Sequence, residues 1–449
     1  MASLVRRLGA ADLTLIVIGG CIGSGIFRLP ALVAQRAQSP GIIILVWVLG
    51  GLITLSGAGV FAELAARRPV AGGWYTYLRE AFHPLVAFEL GWALLTLIAS
   101  GAMAAAAILF ADYFNRLTSY HIPAALLAVV AVAAITFINC VGVRQGCNVQ
   151  NTLTILKLLG VVTILIAGFG AHPVQDWLEL SVPEGAHAGT LTSIATALIP
   201  VMFAYFGWVY VTMICAEVRD PARSMAFGLL FGLAIVTIMY VLVNMACIRV
   251  LGVGGLASTA TPVADVLYKS AGSFGAKIVT IAVVLSTLGF ISNRMLTAPR
   301  ATHAMALNGD VFPFVGWIHP RTRVPVIAIA LQGLCTMALS VSGTYEQVVS
   351  RGTVASLIFL GLGAIALFVV RERDRASARP SPAFRVPLQP YITALFAIVC
   401  AALVVETTLT DPVDSVVCFA VLAAGVPVYF LFERRRKVSV DRSDVAVEA

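Results

Sequence analysis

Along most of this chain apolar residues follow one another without the alternation of a half-buried strand or the one-sided stripe of a surface helix, and the runs stop at charge, Pro and Gly. Uniform runs of about 20 residues predict helices that cross a hydrocarbon core. Twelve are predicted, at about 12–31, 41–64, 84–113, 121–140, 150–170, 192–215, 225–248, 275–298, 325–342, 350–370, 391–409 and 413–432. Two are irregular. The first carries GGCIGSGIFRLP at 19–30, and the sixth carries IPVMFAYFGWVY at 199–210.

In lipid, backbone that leaves helical geometry needs partners from protein, water or a bound solute. Gly19, Gly20, Gly23 and Gly25 remove side-chain obstruction in the first run, and Ser24 adds a hydroxyl. A break there exposes amides, and a half-helix starting near Gly25 presents its N-terminus to a carboxylate. A packing seam of small residues is the alternative use of the same glycines. In the sixth run Pro200 removes a helix donor and Gly207 loosens the backbone. Carbonyls released between Phe203 and Gly207 suit an ammonium group, with Phe203 closing over it; membrane-core packing is the other reading of these aromatics.

Composition agrees with the pattern. Of 449 residues 59% are apolar and 12% charged, against about 25% charged in soluble domains. Arg6 and Arg7 precede a first run that is too long for a secretory signal and lacks a cleavage context, so it is read as retained. Most Lys and Arg fall on the side of the N-terminus, which places both termini in the cytoplasm of a multi-pass cell-membrane protein. The net charge of +8 therefore reflects topology, and no basic groove for nucleic acid is present. The ERRRKVSV tail is either a stop-transfer flank or a contact for anionic lipid. Cys21, Cys140, Cys147, Cys215, Cys247, Cys335, Cys400 and Cys418 are scattered without metal spacing. No metal site, cofactor or enzyme signature is expected, and no nucleotide-binding motif suggests an ATP-driven pump. An ion channel would show a continuous polar pore.

With that orientation span one starts inside and span six outside, so two successive five-helix units have opposite topology and each begins with an interrupted helix. The expected fold is an all-α integral membrane protein of 12 transmembrane helices with a 5+5 inverted-repeat core, helices 1 and 6 being discontinuous. Its parts are a cytoplasmic N-terminus (1–11), the two repeats (12–170 and 192–370), a cytoplasmic linker (371–390), helices 11 and 12 (391–432) and a cytoplasmic tail (433–449).

GCIGSGIFRLP resembles the first-helix signature of amino-acid permeases of the amino acid–polyamine–organocation superfamily. FAELAARRPVAGGWYTYLREAF resembles their second-helix end and loop, through Glu63, Pro69, Gly72, Gly73, Tyr75 and Tyr77, and MFAYFGWVY followed by AEVRDPARSM is similar to their sixth-helix motifs. VRQGCNVQNTLTILKLLGVV resembles the fifth helix of the L-type amino acid transporter branch, including Lys157. The resemblance implies a secondary active transporter working by alternating access, with an amino acid clasped at Ile22, Gly23, Ser24, Gly25 and Ile26 and at Phe203, Ala204, Tyr205, Phe206 and Gly207. It also implies that the Lys157 ammonium reaches carbonyls near Gly20 or Cys21 and stands in for a coupling sodium, leaving exchange or proton-linked uptake; by position alone, snorkelling is equally open.

A zwitterionic L-amino acid with a neutral side chain is favoured. An acidic amino acid or a polyamine is the alternative. Arg28 and Arg294 depart from the superfamily pattern, and each either favours an acidic substrate or merely snorkels or pairs with a glutamate. FADYFNRLTSYHIPA lacks the cysteine by which animal L-type transporters join an accessory glycoprotein, so a monomer or homodimer in contact with membrane lipid is expected, without a disulphide-linked subunit.

Overall fold

The computed structural model describes residues 8–70, 72–118, 122–175 and 190–447. Among them the regular elements are all helical, apart from an isolated bridge between Leu8 and Val218. In chain order they are α1 (Ala10–Cys21), α2 (Ser24–Ala37), α3 (Pro40–Arg67), α4 (Gly73–Ala81), α5 (Pro84–Thr118), α6 (Ala124–Val141), α7 (Val143–Gly170) and α8 (Thr190–Tyr205). A 3₁₀ segment, Phe206–Glu217, continues α8. There follow α9 (Pro221–Ser258), α10 (Pro262–Thr297), α11 (Pro299–Leu307), a 3₁₀ turn at Pro313–Gly316, α12 (Val326–Ser342), α13 (Tyr345–Ala376), α14 (Tyr391–Thr410) and α15 (Pro412–Val447).

Ten helical stretches among the described residues have the length and apolarity to cross a membrane. The first predicted span is instead the pair α1 and α2, bent by 48°, and the ninth is the shorter, 17-residue α12. Prolines set many of the starts: Pro40, Pro84, Pro221 and Pro262 sit in the first turn of their helices, where the missing N–H has no helical acceptor to lose. Thr344 and Gln347 cap α13 reciprocally, side chain to backbone.

The two irregular runs lie at the centre of the packing. α1 packs on α9 and on the 3₁₀ segment, α2 on α8, α3 on α9, and α10 on α7. At one end of the bundle a charge network ties α3 to α13. Glu63, fully buried, accepts from Arg67 Nε at 2.9 Å, Arg371 Nε at 2.8 Å and the Val386 amide at 2.7 Å. Asp374 pairs with Arg67 and Arg68, each at 2.6 Å. A buried carboxylate is tolerable only with such partners, which gives the FAEL acid its reason.

The GG that follows has a different one. Gly72 has φ +83°, and a side chain on Gly73 would lie 2.1 Å from the Thr212 carbonyl oxygen. Left-handed backbone and close approach together demand glycine there, which lets α4 dock against the 3₁₀ segment. Tyr75 and Arg79 of α4 then both reach Asp310. Burial and the Asp310 carboxylate push the Tyr75 phenol above its usual range, so it remains a protonated donor.

Candidate substrate site

The break between α1 and α2 spans Ile22, with ψ 90°, and Gly23, with φ −127° and ψ −144°. Its cause is proximity. A side chain on Gly23 would meet the Phe290 ring at 2.3 Å, and one on Gly207 would lie 2.2 Å from the Gly20 carbonyl and 2.3 Å from the Cys21 amide. Only hydrogen at these positions lets α1, α10 and the 3₁₀ segment converge.

The sixth run behaves differently from the sequence expectation. Pro200 lies inside α8, and the chain changes from α to 3₁₀ at Phe206 instead of opening between Phe203 and Gly207. The 3₁₀ form keeps an i→i+3 ladder while tightening the helix. It thereby re-aims carbonyls without leaving the whole stretch unsatisfied.

Four consecutive carbonyls of the first break, residues 19 to 22, are taken by three side chains. Lys157 Nζ donates to Gly19 O at 3.0 Å and Ile22 O at 2.6 Å. Arg294 Nη2 donates to Gly20 O and its Nη1 to Gly207 O, both at 3.1 Å, joining the two irregular runs. The Tyr240 hydroxyl lies 2.7 Å from Cys21 O and 3.1 Å from Ala204 O, two acceptors for its single proton. Cys21 Sγ completes the set, 3.4 Å from Tyr205 O.

Lys157 is fully buried and does not snorkel. Its acceptors flank the Gly20–Cys21 pair that the resemblance pointed to. Arg294, 2% exposed, does not snorkel, and among the described residues it pairs with no glutamate, which corrects the expectation of either. Its guanidinium lies 3.8 Å from the Tyr210 ring centre and 4.7 Å from that of Phe290. Arg28 does take a glutamate: Glu346 at 2.6 Å, with Asp112 at 3.7 Å and the Tyr345 ring 4.6 Å away.

A cavity of about 20 Å³ sits between the runs, walled by Gly23, Gly25, Phe203, Ala204, Phe206 and Gly207 together with Arg294, Phe290 and Tyr210. That is room for one water, so the site is closed. Ile22, Ile26 and Tyr205 are buried beside this wall; Tyr205 instead donates to Trp47 O at 3.0 Å. The Ser24 side chain is outside the described atoms. A larger cavity of about 360 Å³ lies farther along α2, bordered by Arg28, Ile199, Tyr345 and Glu346.

Sequence reasoning missed Tyr240 and Phe290. The available signal was a lone tyrosine in the apolar run VTIMYVLVN, whose hydroxyl needs a buried partner. Tyr240→Phe is expected to cost about 1 kcal/mol of site stabilisation and slow transport roughly fivefold, read as initial rates in vesicles.

Broken and re-aimed helices that converge on a closed site inside a bundle of membrane-length helices are the architecture of a membrane carrier. Residues 8–432 match the amino acid permease family, to which this chain belongs. It is 27% identical to the serine/threonine exchanger of Bacillus subtilis (strain 168), the alignment covering 96% of this chain and 98% of that protein. It is 28% identical to the human cystine/glutamate transporter, over 93% and 83% of the two chains. With the b(0,+)-type amino acid transporter 1 of Oryctolagus cuniculus the identity is 30%, over 96% and 88%. The chain is thus a permease and not an enzyme.

Proposed function

We propose that this permease exchanges L-amino acids across the cell membrane by alternating access and without sodium. The observation that carries the reading is Lys157: its ammonium is held by Gly19 O and Ile22 O inside the break, in the manner of a bound cation. The α-carboxylate binds the backbone amides around Gly23, Ser24 and Gly25 at the start of α2, where the helix dipole favours an anion. The ammonium binds near Phe203 and Ala204, with Phe203 as gate; Ile22, Ile26, Tyr205, Phe206 and Gly207 shape the remainder.

In this reading residues 12–170 and 192–370 are inverted repeats that rock about the site. The 371–390 linker and both termini face the cytoplasm, and helices 391–432 stand outside the core. The 360 Å³ cavity beside Arg28 is then the outer vestibule. The relatives named as exchangers and amino-acid transporters support this activity. The apolar wall of Phe203, Phe206 and Phe290 supports a neutral side chain, and Arg294 in the same wall supports an acidic one. The protein works as a monomer or homodimer; no disulphide-linked subunit is invoked, since the loop after the third span has no cysteine.

The test is purified protein in vesicles loaded with unlabelled amino acid, in choline medium with the proton gradient collapsed. Labelled amino acid should enter only when counter-substrate is inside. Saturable putrescine uptake without amino-acid exchange, or uptake driven by a proton gradient from empty vesicles, would overturn the reading.

A further inference from the structure

Arg294 is the only charged side chain among the described residues that line the 20 Å³ cavity. The Tyr210 and Phe290 rings lie against its guanidinium, and two of its N–H groups are spent on Gly20 O and Gly207 O. Its Nε–H has no acceptor, although the residue is 2% exposed. A buried donor without a partner is costly, and a guanidinium edge matches the two oxygens of a carboxylate better than any other side-chain group.

The charge around it points the same way. Lys157 brings a second buried cation to the same break, and neither has an ion-pair partner among the described residues. A neutral amino acid adds no net charge to this surplus, whereas one with an acidic side chain adds a negative charge. Phe290 connects the two ends of such a ligand. Its ring lies against Gly23, where the amides of the break begin, and also beneath the Arg294 guanidinium.

From this geometry we infer that Arg294 is a specificity-determining residue whose unpartnered Nε–H donates to a side-chain carboxylate, so that the site prefers acidic L-amino acids to their neutral amides. The inference rests on the proposed amino-acid exchange and chooses between the two side-chain classes left there.

The experiment compares L-glutamate with L-glutamine, and L-aspartate with L-asparagine, as inhibitors of labelled exchange in vesicles. The wild type is expected to require at least about tenfold less of the acid than of its amide. Arg294→Gln should bring that ratio to about one. Arg294→Lys, which keeps the charge without the fork, should fall between and guards against a glutamine variant that does not insert. Wild-type protein that prefers glutamine, or an inserted Arg294→Gln that keeps the tenfold ratio, overturns the inference while leaving amino-acid exchange standing. Absence of exchange with every amino acid would overturn the proposed function itself.

Discussion

Vesicles carrying Lys157→Ala are expected to exchange amino acids at least about 30-fold more slowly than wild type. The substitution leaves Gly19 O and Ile22 O without their buried donor, and each orphaned carbonyl costs about 1–3 kcal/mol. Removing the ammonium also removes its own desolvation penalty, so the lower end of the summed cost, about 2 kcal/mol, sets the figure. The loss should appear with sodium present or replaced by choline, because wild-type exchange is itself expected to be indifferent to sodium. Unchanged kinetics in the alanine variant would make Lys157 a bystander. Strict sodium dependence of the wild type would remove the reason for an ammonium in the break.

Gly207→Ala should have a larger effect still. Its new methyl would lie 2.2 Å from the Gly20 carbonyl carbon and oxygen, which are backbone atoms with no rotamer to escape into. The two irregular runs would have to part by about 1 Å, a misplacement that costs on the order of 100-fold where groups must converge on one ligand. The separation would also pull apart the acceptors that Arg294 bridges. Gly25→Ala, whose methyl would meet Ala204 at 3.1 Å, should be milder, and the bulkier Gly25→Leu should abolish transport. Gly59→Ala, with nothing within 4 Å of the added carbon, should insert and transport normally. Rates normalised to protein in the vesicles check the series; near-normal exchange by inserted Gly207→Ala would contradict the close approach.

The apolar runs made most of the fold legible, because in a bilayer length and uniform apolarity leave the helix as nearly the sole solution. The first break was legible for the same reason: Gly20, Gly23 and Gly25 have little use in a regular span beyond close packing, and here two of them meet Phe290 and Ala204. The sixth run was less so. The sequence placed released carbonyls between Phe203 and Gly207, yet Pro200 stays inside α8, where Arg36 Nη1 donates to the freed Thr196 carbonyl at 2.8 Å, and the chain passes into 3₁₀ at Phe206. The partners of the break were hardest to read. Tyr240 is 219 residues from the Cys21 carbonyl it meets, and Arg294 is 274 from Gly20. Nothing in local periodicity encodes which buried polar tip will face which released carbonyl, and only the crossing of α1, α9 and α10 brings them together.

The central claim is that both irregular runs form one amino-acid site whose backbone carbonyls are held by the Lys157 and Arg294 cations. A structure of the protein with its amino acid bound tests it most directly. The expected density places the α-carboxylate about 2.7–3.2 Å from the amides of Gly23 to Gly25, with the ammonium toward Phe203 and Ala204 and Lys157 still on Gly19 O and Ile22 O. Ligand confined to the cavity beside Arg28 and Glu346, with the space between Gly25 and Gly207 unchanged, would contradict it.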